Sequence, residues 1–164
     1  MPAPDYISSG PAASAVALLI SATQERRNAM TLSFFSEVAH HPASVWISVR
    51  PATLTHQLIE ESGTFTLALL HSDQAGLALV CGSVSGRERD KTGTLGLYRE
   101  NGFWHLPDAL CSIACRVSRS KPGVGDHTLM IGEIVEAFGD SRNPIRRNLL
   151  TRDLALVPAS AVSA

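Results

Sequence analysis

The chain has 164 residues, of which 45 % are apolar and 18 % charged, with a formal net charge of −1. This length allows one domain with a real core, and the composition is that of a globular chain, not a disordered one. Lys and Arg are scattered along it, which leaves no footprint for nucleic acid.

The apolar run at residues 15–20 is far shorter than the ~20 residues that span a bilayer. No Lys or Arg precedes it, as a secretory signal would require. The expectation is a cytoplasmic protein with no membrane segment. Three cysteines, Cys81, Cys111 and Cys115, form no disulfide framework in such a chain. Further Cys or His at ligand spacing is missing around them, so no metal site is expected.

In chain order, residues 1–13 read as an N-terminal arm. VALLISATQERRNAMTLSFFSEV reads as two strands about a turn at Gln24 to Arg27, the first apolar enough to be buried on both faces. AHHPA is a loop, and SVWISVRP a strand ended by Pro51. LTHQLIEESG has helical spacing, with Leu54, Leu58 and Ile59 on one face and Gly63 as its stop. FTLALL is a strand. SDQAGLALVCGSVSG reads as a helix with Ser72 as N-cap, and SGRERDKTGTLG as a loop.

LYRENGFWHLP carries Asn101-Gly102, the strongest hairpin signal in the chain. LCSIACRVSR and HTLMIGEIVEAF are strands separated by the loop SKPGVGD. DLALV reads as one more short strand, and residues 159–164 as a frayed tail. The pattern is strand-rich, with two short helices inserted. A closed or nearly closed antiparallel barrel with helical plugs accommodates it.

Four polar segments lie at the ends of these elements. NAMTLS (Asn28, Ala29, Met30, Thr31, Leu32, Ser33) follows a turn and alternates polar with apolar side chains. Ser48, Arg50, Thr53, Thr55 and His56 crowd a strand-to-helix junction, where free helix amides, hydroxyls and a guanidinium suit an anion. GSVSGRERDK supplies Ser83, Ser85, Arg87, Arg89 and Lys91 on a glycine loop without the spacing of a P-loop. GDHT joins Asp126 and His127 at the mouth of a strand.

In this order the segments N-A-M-T-L-S, R-P-A-T-L-T-H-Q-L-I-E-E-S-G-T-F, G-S-V-S-G-R-E-R-D-K and G-D-H-T-L-M-I-G-E-I resemble the flavin reductase-like, FMN-binding split-barrel family. The resemblance runs over roughly residues 14 to 138 and places one such domain at 14–158. It implies a mainly β fold, a six-stranded antiparallel split barrel with short inserted helices. It also implies a homodimer with flavin near the interface. The cofactor would be FMN, with FAD possible, and NADH or NADPH the reductant. A partner monooxygenase would consume the reduced flavin. A flavoredoxin-like electron carrier that does not react with NAD(P)H is the alternative within the same family.

Carried over by motif, the resemblance assigns Asn28 to Ser33 to the isoalloxazine edge. Ser48, Arg50, Pro51, Thr53 and Thr55 go to the ribityl phosphate. Ser83, Ser85, Arg87 and Lys91 close over the phosphate end. His127 sits by the nicotinamide or the flavin face, oriented by Asp126. Cys81 and Thr92 depart from the pattern, standing where family members often carry Phe.

Overall fold

The computed structural model describes residues 13–139 and 146–154. Nine strands run in chain order. They are β1 (Ala17–Ala22), β2 (Arg27–Leu32), β3 (Phe35–His40), β4 (Ala43–Val49), β5 (Thr64–Leu69), β6 (Tyr98–Glu100), β7 (Phe103–His105), β8 (Cys111–Val124) and β9 (His127–Phe138). The helices are α1 (Leu54–Ser62), α2 (Ala75–Ser83) and the short α3 (Thr151–Leu154). Of the arm expected at 1–13, residues 1–12 lie outside the described residues, as does the tail at 159–164.

Seven strands form one antiparallel sheet in the order β2-β1-β5-β8-β9-β4-β3, and β6 and β7 form a separate hairpin. The expected six-stranded barrel is corrected here: seven strands share the sheet, and its ladder is open. The two edge strands, β2 and β3, are consecutive in the chain and are joined only by Ser33 and Phe34. One continuous segment thus serves both edges. The sequence offers no break there, because SFFSEV keeps its apolar content through the bend.

The β1 run is buried on both faces, as its unbroken apolar stretch predicts. Ala17 and Leu19 join a core with Ile47, Phe65, Leu67 and Met130. Val16, Leu18 and Ile20 join a second core with Leu70, Ala78 and Leu149 on the other side of the sheet. Leu149 reaches that core because residues 146–150 lie along β1 and β5. The Val16 N–H donates to the Leu149 carbonyl at 2.9 Å, and the Leu149 N–H to the Leu70 carbonyl at 2.8 Å.

Helix α1 starts where sequence spacing puts it. The Thr53 hydroxyl accepts the His56 N–H at 3.2 Å, a side-chain cap on an otherwise open amide. At its far end the Gly63 N–H donates to the Ile59 carbonyl at 2.8 Å. The helix is pinned against β9 by a buried hydrogen bond of 2.9 Å between His56 Nε2 and Thr128 Oγ1.

Asn101 and Gly102 turn the β6–β7 hairpin with φ of 49° and 92°, the left-handed pair that this dipeptide favours. Two further expectations are corrected. Most of SKPGVGD is strand: β8 continues to Val124, and only Gly125 and Asp126 form the turn into β9. The start of DLALV is helix α3, with its remainder outside the described residues.

Candidate active site

Strand β2, the β4–α1 junction and the loop after α2 meet around a cleft of about 350 Å³. Asn28, Met30 and Thr31 come from β2, Arg50 and Thr53 from the junction, and Ser85 and Lys91 from the loop. A smaller cleft of about 180 Å³ adjoins it, with Ser33, Ser48 and His127 on its walls. Met30, Thr31, Arg50 and Thr53 line both, so the two are halves of one trough.

The halves differ chemically. In the larger one, Arg50 and Lys91 bring cations, Thr53 brings a hydroxyl at the N-terminal end of α1, and Ser85 brings one from the loop after α2. No Asp or Glu lines it among the described residues. A helix N-terminus with hydroxyls and cations is suited to a phosphate. Lys91 is buried, and its ammonium donates to the Cys81 carbonyl at 2.8 Å and the Val84 carbonyl at 2.7 Å. Those carbonyls lie at the C-terminal end of α2, where positive charge is stabilised. Burial nonetheless pulls the Lys91 pKa down from its ordinary value.

In the smaller half, Asp126 Oδ1 lies 2.6 Å from His127 Nδ1. That hydrogen bond, followed by weaker help from the Arg50 charge, holds the Asp126 carboxyl below its usual range. The carboxylate is therefore the acceptor, and Nδ1 carries the proton. In the neutral ring, Nε2 is left as an acceptor. The imidazole also packs on Phe34, with ring centroids 5.5 Å apart. Arg50 Nη2 lies 3.5 Å from Asp126 Oδ2, so one guanidinium borders the phosphate-like end and touches the pair that orients His127.

Not every residue assigned from sequence reaches the trough. Leu32 lines the smaller half, whereas Ala29 is fully buried in the second core. Thr55 is also fully buried, and its hydroxyl accepts from Asn28 Nδ2 at 2.9 Å. Pro51 and Ser83 are exposed and line neither half. Arg87 turns away, donating to the Ala52 carbonyl at 3.3 Å and to Gln57 Oε1 at 3.0 Å, which braces the loop on α1.

Two contributors escaped the sequence reading. Phe34 flanks His127. Gly86 lets the loop close on β2: a Cβ there would lie 2.3 Å from Asn28 Oδ1. The glycine in GSVSGR was the available signal, since close backbone approach needs a residue without a side chain. Among the described residues no cluster of three metal-ligating side chains occurs, and no helix is long and apolar enough to cross a membrane.

Comparison with known proteins gives a consistent result. Residues 9–152 match the family model described as flavin reductase like domain. The reductase component of an FADH(2)-dependent resorcinol hydroxylase from a Rhizobium species is 31 % identical over 128 residues, 77 % of this chain and 70 % of that protein. An NADH-dependent flavin reductase from a Rhodococcus species is 29 % identical over 71 % of this chain and 63 % of its own length. An FMN-binding protein from Thermus thermophilus shares the fold, with a TM-score of 0.78 at 23 % identity, over 87 % of this chain and 78 % of that one.

Proposed function

Because the chain belongs to the flavin reductase-like family, we propose that it is an NAD(P)H:flavin oxidoreductase that supplies reduced flavin to a partner monooxygenase. The observation that carries this reading is the two-ended trough. Cations and hydroxyls gather at one end, the Asp126–His127 pair stands at the other, and Arg50 borders both. The resorcinol hydroxylase component and the Rhodococcus reductase support the choice of reaction.

The residues present fit a flavin mononucleotide. Arg50, Thr53, Ser85 and Lys91 would hold its phosphate, and Met30 to Leu32 on β2, with Ser33 just after it, would line the place of its ring system. Bound flavin supplies the ring that accepts two electrons from a reduced nicotinamide. This chain's own part is to bind and align, because such a transfer requires close, oriented stacking more than a strong acid or base.

His127 acts by position. Its Nδ1–H is fixed on Asp126, its ring leans at a tilt against Phe34, and its Nε2 is left to accept a hydrogen bond from a ligand amide. Arg50 places positive charge beside the trough, where it would favour negative charge on a bound flavin. FMN is the expected tight ligand, a homodimer the expected assembly, and the cytoplasm the expected location.

An absorbance experiment tests the proposal. Purified protein with added FMN is made anaerobic and mixed with NADH, then with NADPH. Bleaching of the flavin band faster than for free FMN is the expected result. Bound flavin that stays oxidised with both nicotinamides would replace the reductase with an electron carrier.

A further inference from the structure

His56, in the first turn of α1, is a buried imidazole that the reductase reading does not use. Its Nε2 lies 2.9 Å from Thr128 Oγ1, and its Nδ1 lies 3.7 Å from Glu60 Oε2, one helical turn on. The Glu60 carboxylate favours the proton on Nδ1. Nε2 is then the acceptor and the Thr128 hydroxyl the donor. His127 stands one residue before Thr128, with its own Nδ1 on the Asp126 carboxylate.

We propose that His56 is a positioning residue for His127, acting through Thr128. The proposal rests on the trough being the seat of flavin reduction.

The Asp126–His127 pair hangs on an exposed turn, with the Asp126 side chain 72 % exposed. On the β8 side the ladder slips between Lys121 and Val124, just before the pairing of Val124 with His127. Thr128 is the first buried residue after that turn. Across β4 it pairs with Val49, the residue before Arg50. Arg50, Asp126 and His127 thus all extend from one registered pair. Successive residues of a strand point to opposite faces. A Thr128 side chain held inward by His56 therefore turns the His127 side chain outward, onto the wall of the trough.

Helix α1 grips both flanks of the trough in this way. Thr55 holds Asn28 on β2, and His56, the next residue, holds Thr128 on β9. Two neighbours in one helical turn set the spacing between the strand under the proposed ring and the imidazole beside it. A hydrogen bond is directional and an apolar contact is not. A leucine at position 56 would fill the space without fixing Thr128.

The test compares His56→Leu, His56→Gln and the double variant His56→Leu/Thr128→Val with the wild type. His56→Leu strands a buried hydroxyl. The double variant removes both partners and should regain the lost stability. With FMN bound and the better of NADH and NADPH at saturation, flavin reduction should slow about 10- to 100-fold in His56→Leu, the scale of a small misplacement near the reacting groups. It should stay slow in the double variant although the melting midpoint recovers. FMN affinity should stay level. His56→Gln, whose side-chain carbonyl can accept the Thr128 hydroxyl, should keep most of the rate. In the flavin-free protein, the His127 ring resonances, identified by their loss in His127→Ala, should shift in both leucine variants and hold in His56→Gln. Thr128→Val should give the same slowed rate and shifted resonances, and keeps the test sound if His56→Leu fails to fold.

A double variant that regains rate together with stability would overturn the proposal, because His56 would then only support the fold. So would His127 resonances that stay in place when His56 or Thr128 is replaced. A wild type that reduces flavin no faster than free solution would remove the reductase reading, while shifted His127 resonances would still establish the link through Thr128.

Discussion

Asn28 and Thr55 are joined by a buried hydrogen bond: the Asn28 amide on β2 donates to the Thr55 hydroxyl in the first turn of α1 at 2.9 Å. The bond fixes the angle between the strand under the proposed flavin ring and the helix end under its phosphate. Asn28→Ala leaves a buried hydroxyl without its donor and is expected to cost about 1–3 kcal/mol. Denaturant titration measures it. A loss below a few tenths of a kcal/mol would show that the pair is dispensable for the fold.

Arg50 stands at the overlap of the two halves of the trough. Arg50→Ala is expected to weaken FMN binding roughly 10- to 100-fold, as loss of a charge-assisted contact does. Fluorescence titration with FMN reads this directly. Unchanged affinity would move the phosphate elsewhere.

For His127 the expected signature is a split between kinetics and binding. His127→Ala should slow flavin reduction in a stopped-flow experiment while leaving FMN affinity nearly level. The imidazole lies in the smaller half of the trough, away from Lys91 and Ser85. Equal reduction rates in variant and wild type would return GDHT to an ordinary turn.

The three cysteines should be unreactive in the folded protein. Burial pushes the Cys115 thiol up to about 12 and raises those of Cys81 and Cys111 as well. Since the thiolate is the reactive form, a chromogenic disulfide reagent at neutral pH should label them only when the protein is unfolded. Rapid labelling of the native state would contradict this burial.

Acid should loosen the segment at 146–154. Asp153 accepts from both Arg147 terminal nitrogens, at 2.8 and 3.2 Å, and from the Leu150 N–H at 2.8 Å. Those bonds, the side-chain pair foremost, lower its pKa. A carboxyl whose folded pKa is depressed contributes stability above its unfolded value, about 4, and loses it as pH falls through the lower folded value. Asp153→Asn should therefore flatten the dependence of stability on pH below about 4. An identical acid slope in wild type and variant would exclude Asp153 as a source.

Local chemistry made several elements legible in the sequence. The Asn101-Gly102 turn, the Thr53 and Gly63 ends of α1, and the doubly buried β1 each follow from a few neighbouring residues. What was not legible depends on distant partners. The division of NAMTLSFFSEV into two strands on opposite edges follows from the pairing of β3 with β4, which no local pattern encodes. The run through SKPGV stays extended because β9 pairs with it as far as Val124 and His127.

The trough shows the same limit. Arg50, Thr53, Ser85 and Lys91, grouped by the family resemblance, line one cleft. The resemblance could not tell that Thr55 faces Asn28 or that Arg87 faces Gln57. Neither periodicity nor motif reports which way a junction side chain turns.

The bend at Ser33 and Phe34 gives the two edges of the sheet different fates. Both helices, α1 and α2, lie against β2. The β3 strand pairs only with β4 among the described residues and is exposed over most of its length. Bare strand edges recruit further strands. On the seven-stranded sheet, edge-on pairing of β3 with a second copy's β3 uses up that edge in both and leaves none of its kind for a third.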